Sequence, residues 1–174
     1  MNKILKVYLE NDYVGDLIEK NGQRLRFVYN ENVHVDISLK MPHAIKTHYH
    51  KVVYAFFENL LPEGNILELV AKSKGVSQNN PFSLLSVIGE DCAGAIHLHT
   101  DSPSIEKTPR EFISKDDINH IAINKDGARI VYQKGNRLSL AGAQDKTTVI
   151  IDNDEFYAPN FSFPSTHILK FDVS

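Results

Sequence analysis

Two hydrophobic periods alternate along the chain. Residues 3–9 and 24–29 place apolar and polar side chains in strict alternation, the pattern of strands with one buried face. Leu5, Val7 and Leu9 share one face, residues 14–18 and 25–29 supply neighbouring antiparallel strands, and Asn21-Gly22 is a hairpin turn dipeptide. Residues 33–39 predict one more strand. From Tyr49 the period lengthens: Tyr49, Val52, Val53, Phe56, Phe57 and Leu60 recur at helical spacing, and Pro62-Glu63-Gly64 stops the helix. A second helix is expected over 66–74, with Gly75 as its left-handed terminus. A third is expected from Asn80 as N-cap, with Pro81 in the first turn, to Gly89. Residues 93–99 read as a strand returning to the sheet.

Residues 101–109, Asp-Ser-Pro-Ser-Ile-Glu-Lys-Thr-Pro, have the composition of a linker. Beyond it, Thr108-Pro109-Arg110-Glu111 has the capping-box pattern of a helix start, and Ser114-Lys115-Asp116-Asp117 predicts another helix running to about Asn124. Asp116 and Asp117 suit the first turn of that helix, where the backbone dipole favours negative charge. Strands are expected over 128–133, 146–151, 155–158 and 166–173, with Asp152-Asn153-Asp154 as a turn. The pattern predicts an α+β chain: an N-terminal antiparallel sheet with three short helices, then a mostly β region.

Composition narrows this little. The chain has 174 residues, 42% of them hydrophobic and 24% charged, which is ordinary for a soluble protein with a real core. A net charge of −3 offers no broad attraction for nucleic acid or membrane. The single Cys92 excludes an internal disulfide and suits a reducing compartment. The first residues carry no apolar leader, and no apolar run is long enough to span a bilayer, so a cytoplasmic location is expected.

Candidate chemistry concentrates late in the chain, in Arg137-Leu138-Ser139-Leu140-Ala141-Gly142-Ala143-Gln144-Asp145-Lys146. Ala141, Gly142 and Ala143 lack bulky side chains, so a phosphate can approach their N–H groups closely. No helix-opening Gly-Lys-Ser/Thr follows, so the loop fits a protein-kinase glycine-rich loop better than a Walker loop. In the later strand, period two puts Ile168 and Lys170 on one face and His167, Leu169 and Phe171 on the other, so Lys170 is placed to reach beneath the loop. Ala-Gly-Ala is equally an ordinary turn, and lysines on strands are usually solvated.

Two blocks extend this reading. The first is Phe56-Phe57-Glu58-Asn59-Leu60-Leu61-Pro62-Glu63-Gly64 together with Asn80-Pro81-Phe82-Ser83-Leu84-Leu85-Ser86-Val87-Ile88-Gly89-Glu90-Asp91-Cys92-Ala93-Gly94-Ala95. The second is Ser139 to Lys146 together with Thr166-His167-Ile168-Leu169-Lys170. From Val7 to Ser174 the chain resembles the N-terminal part of the HipA family, serine/threonine kinase toxins of bacterial toxin–antitoxin systems. The resemblance implies an N-terminal subdomain over 1–102 and an incomplete kinase N-lobe over 110–174. It implies ATP with magnesium in the intact kinase, Ala141, Gly142, Ala143, Gln144, Asp145 and Lys146 lining the triphosphate, and Lys170 contacting it. Ser139 matches the serine that family members autophosphorylate, inactivating the kinase. A phosphate added beside a phosphate-binding loop competes electrostatically with ATP, which gives that switch a physical basis. The bland account of Ser139 is a solvated hydroxyl.

In the family, the carboxylates that hold magnesium and take the substrate proton lie beyond position 174, so no catalytic and no metal-binding residue is assigned here and no tight cofactor binding is expected. His34-Val35-Asp36 mimics a catalytic His-x-Asp only superficially, because it precedes the loop and lies in a strand pattern. His97 with His99, and His48 with His50, are spaced to share a strand face, yet a closed zinc site needs four ligands. The Phe56, Phe57, Leu60, Leu61 stripe reads as core, and Cys92 as a small packing residue. Two functions compete. The chain is the N-terminal piece of a HipA-like kinase, inactive alone, whose partners are a helix-turn-helix antitoxin and the remainder of the kinase. Alternatively it is a stand-alone binding protein that neutralises a separate HipA-like kinase, although such a subunit should end near residue 105.

Overall fold

A computed structural model describes residues 3–20, 24–92, 95–101, 109–123, 146–159, 163 and 165–170. The architecture is α+β, with two antiparallel sheets. In the first, β1 (Lys3–Leu9), β2 (Asp12–Lys20), β3 (Arg24–Tyr29), β4 (Thr47–Tyr49) and β5 (Ile96–His99) lie in the order β4-β3-β2-β1-β5. Helices α1 (His50–Glu58), α2 (Gly64–Lys74) and α3 (Pro81–Ile88) come between β4 and β5, and a 3-10 turn at Gly89–Asp91 follows α3.

One face of this sheet builds the core. Register aligns Leu5, Leu17, Phe27 and His48 in a single row across four strands, all four buried. The helices supply Val53, Phe57, Val70, Phe82, Leu84 and Leu85 to the same cluster. Phe57 and Phe27 meet with ring centroids 5.8 Å apart, and fully burying each ring contributes about 1.5–3 kcal/mol. Phe57, Leu60 and Leu61 are buried as the stripe predicts, and Cys92 packs in the same cluster. At Gly15 a bulge sets two residues of β2 against one of β1, and any Cβ there would collide with the Val28 carbonyl.

The helix ends follow the sequence signals. Asn80 caps α3 by accepting from the Ser83 N–H at 3.1 Å, and Gly75 ends α2 at φ +66°. Asn80 does a second job: its Nδ2 donates to Glu19 Oε1 at 3.0 Å. Glu19 is only 6% exposed, and its other oxygen lies 3.8 Å from Lys3 Nζ. One side chain therefore caps a helix and satisfies a buried carboxylate on the sheet.

The second sheet has the order β6-β8-β7-β9, from β6 (Glu111–Ile113), β7 (Lys146–Asp152), β8 (Glu155–Ala158) and β9 (His167–Lys170). Helix α4 (Lys115–Ile123) starts on a reciprocal cap, in which Ser114 Oγ accepts from the Asp117 N–H at 3.0 Å and Asp117 Oδ2 accepts from the Ser114 N–H at 3.2 Å. Ile113, Val149 and Ala158 are the buried centre of a small cluster completed by Ile118, Ile151, Phe156 and Leu169.

Three expectations are corrected. Residues 33–39 form no strand: Ile37 N–H donates to the Tyr29 hydroxyl at 3.0 Å, that hydroxyl donates to the Met41 carbonyl at 2.6 Å, and the segment folds into turns around buried Met41. Glu111 does not open a helix. It begins β6, because pairing with β8 buries Ile113 and the stronger start signal at Ser114 takes the helix. Tyr49 is not on the apolar stripe of α1; it ends β4 and is 68% exposed. The strand expected over 128–133 lies outside the described residues.

Replacing Asn80 with alanine removes the cap and strands a buried Glu19 oxygen, so unfolding free energy should fall by about 2 kcal/mol. Urea denaturation measures this directly. A loss below about 0.5 kcal/mol, the ordinary surface effect, would contradict the double role.

Candidate phosphate-binding site

The candidate site is the start of β7 and the end of β9. The β7–β8 hairpin turns at Asn153 and Asp154, both with left-handed backbone at φ 50° and 62°, the two-residue turn that matches strand twist. The hairpin is tied to the chain before β6 by Arg110, whose guanidinium reaches Asp152 at 2.6 Å and lies over the rings of Tyr157 and Phe163. On the other side, Thr166 Oγ1 accepts from the Ile151 N–H at 3.0 Å and leads the chain into β9. Val149 and Leu169 anchor β7 and β9 in the small core.

With those anchors in place, the register puts Lys146 directly opposite Lys170 and Thr148 directly opposite Ile168. Lys170 is exposed and Ile168 is 52% exposed, so this part of β9 faces away from the core that Leu169 enters, as the period-two reading predicts. Thr148 Oγ1 is buried and has no hydrogen-bond partner. Ser139, Ala141, Gly142, Ala143, Gln144 and Asp145 lie outside the described residues. The structure thus brings together two of the predicted site residues, Lys146 and Lys170. Their exact opposition was not foreseen, because each lysine carries a local signal and only strand pairing relates them.

The other chemical candidates resolve into structural roles. Asp36 Oδ1 accepts from the His43 N–H at 2.7 Å and contacts His43 Nδ1, closing an exposed loop. His48 Nε2 donates to the Pro42 carbonyl at 3.1 Å, while His50 begins α1 and its Nδ1 accepts from the Leu25 N–H at 3.2 Å. The strand–helix boundary between them breaks the shared face expected for a ligand pair. His97 and His99 are both buried on β5, with His97 Nδ1 donating to the Glu90 carbonyl at 2.8 Å and His99 Nδ1 3.4 Å from Glu90 Oε1. Among the described residues no group of three or more His, Cys, Asp or Glu is placed to hold a metal ion. No described helix is long and apolar enough to cross a membrane.

The family model for the HipA N-terminal domain matches residues 5–99. The chain belongs to that family. It is 29% identical over 180 aligned residues to a putative kinase, Y4mE, of Sinorhizobium fredii, covering 97% of this chain and 43% of the relative. It is 34% identical over 118 residues to the serine/threonine-protein kinase toxin HipA of Shewanella oneidensis, covering 67% of this chain and 27% of the toxin. A solved structure of Shewanella oneidensis HipA with HipB and its operator DNA superposes with a TM-score of 0.76 at 26% identity, covering 97% of this chain and 41% of that one. The chain therefore spans less than half the length of these relatives.

The Asp36–His43 contact makes a pH prediction. The His43 backbone N–H and then its ring hold the Asp36 carboxyl below its ordinary range. A carboxyl whose folded pKa is depressed stabilises the loop above the ordinary carboxylate pKa of about 4 and loses that effect as pH falls through the lowered value. Carbon-detected NMR titration should place the Asp36 midpoint below that of a model aspartate, with the His43 amide shifting in step. A midpoint at or above that of a free aspartate side chain would refute the contact.

Proposed function

We propose that these 174 residues carry the phosphate-holding part of a HipA-type serine/threonine kinase and, by themselves, transfer no phosphoryl group. The observation that carries this is the opposition of Lys146 and Lys170 across β7 and β9. Directly opposite positions in an antiparallel pair lie about 4.5–5.5 Å apart, and like charges there are destabilising unless an anion lies between them. A triphosphate is such an anion. Residues 141–145 immediately precede β7 in sequence, and in this reading their backbone N–H groups are the usual second component of a phosphate cradle.

In this reading residues 1–102 form the N-terminal unit and 110–174 begin the kinase N-lobe. Ala141, Gly142, Ala143, Gln144, Asp145 and Lys146 surround the phosphates, Lys170 pairs with them, and phosphorylation of Ser139 regulates access. Magnesium supplies charge neutralisation between the phosphates in an intact kinase, but the described residues offer no carboxylate set that fits it. Positioning a phosphate transfers nothing without a metal and an acceptor-orienting aspartate. The partners are the remainder of a HipA-type kinase and a helix-turn-helix antitoxin, in the cytoplasm.

Calorimetric titration tests the cradle. Mg-ATP should bind only in the millimolar range, since an ammonium group exposed to water, as that of Lys170 is, contributes little. Lys170→Ala should weaken that binding at least about fivefold, and binding should fade with added salt. Micromolar affinity, or a Lys170→Ala variant that binds unchanged, would contradict the proposal.

A further inference from the structure

The face of the first sheet turned away from the helices carries a second cationic feature, far in sequence from the lysine pair. Register sets Ile4, Ile18, Arg26 and Tyr49 in one row across β1, β2, β3 and β4. Both ends of that row are open: Ile4 is 48% and Tyr49 68% exposed. In the adjoining row, at the end of β2 and the start of β3, Lys20 sits directly opposite Arg24, both exposed. A like-charge pair facing across an antiparallel sheet costs stability, where an opposite pair would add to it.

No carboxylate on the described part of the chain relieves these charges. Glu19 occupies the core face, held by Asn80 and Lys3. Asp16 accepts from the Tyr13 hydroxyl at 2.6 Å and lies 4.0 Å from Lys6 Nζ. Among the described residues Lys20, Arg24 and Arg26 form no salt bridge, and Arg26 Nε is buried with no hydrogen-bond partner. A chain of net charge −3 thus gathers three cations around buried Ile18, between exposed Ile4 and exposed Tyr49.

We propose that this face docks an acidic segment of another polypeptide. Arginine and tyrosine flanking aliphatic side chains are the composition of protein–protein anchor points. Arg24 and Arg26 are two residues apart on one strand face, a spacing of about 6.6 Å, which equals that of carboxylates at alternate positions of an extended segment. A nucleic-acid backbone fits less well: useful affinity takes about six or more phosphate contacts, and the chain's net negative charge repels a polyanion. This surface stands independently of the lysine pair on β7 and β9.

The test uses the full chain and a short fluorescein-labelled peptide of alternating glutamate and threonine with a leucine at one end, followed by fluorescence anisotropy at low salt. Saturable binding should weaken about tenfold in Arg24→Glu and again in Tyr49→Ser, and should fall with salt. Thermal melting gives an independent readout, because Arg24→Glu faces Lys20 with an opposite charge and should raise Tm by about 1–4 °C. Three results would overturn the proposal: peptide binding unchanged in both variants, a lowered Tm in Arg24→Glu, or tighter binding of duplex DNA or phosphatidylserine vesicles than of the peptide.

Discussion

A slip of one residue in strand pairing turns every side chain of that strand to the opposite face, and this constraint governs both sheets. In the first sheet it decides that Leu5, Leu17 and Phe27 meet the helices while Ile4, Ile18 and Arg26 take the opposite face, where Ile4 is exposed and Ile18 is buried. In the second it decides that Lys146 faces Lys170 and that Leu169 enters the small core. The hydrophobic core, the candidate phosphate site and the cationic docking face are consequences of two registers.

Specific side chains pin those registers. The bulge at Gly15 fits only a residue without Cβ, and it fixes where β1 and β2 come back into step. Glu19 is a buried carboxylate, costly unless its oxygens are satisfied, and Asn80 with Lys3 satisfies them only when β2 lies in its observed frame. In the second sheet Val149 and Leu169 bury on the same side, so a slip would exchange them for Thr148 and Ile168. Burial of ordinary apolar residues thereby sets the register that places Lys146 opposite Lys170.

Much of this was legible in the sequence where the governing interaction is local. The Asn80-Pro81 start, the Gly75 terminus, the Ser114 cap and the strands of the first hairpin each carry their signal within a few residues, and each stands where that signal put it. Residues 33–39 misled because alternation is a weak signal without a partner strand, and the Tyr29 hydroxyl offers their backbone a different set of hydrogen bonds. Glu111 misled because a capping pattern says nothing about the strand at 155–158 that competes for it. The HipA N-terminal family assignment rests on long blocks of residues and agrees with the match over 5–99. The pairing of Lys146 with Lys170 and of Lys20 with Arg24 belongs to register, which no single segment encodes.

The proposed function depends on one physical point: the described residues offer lysines for a phosphate but bring no group of three or more carboxylates, histidines or cysteines together to hold magnesium. The most direct measurement is incubation of the purified 174-residue chain with γ-labelled ATP and magnesium, counting label on protein and released phosphate against a Lys170→Ala control. The expected result is no label and no release above that control. Label transferred by the native chain and abolished by Lys170→Ala would contradict it.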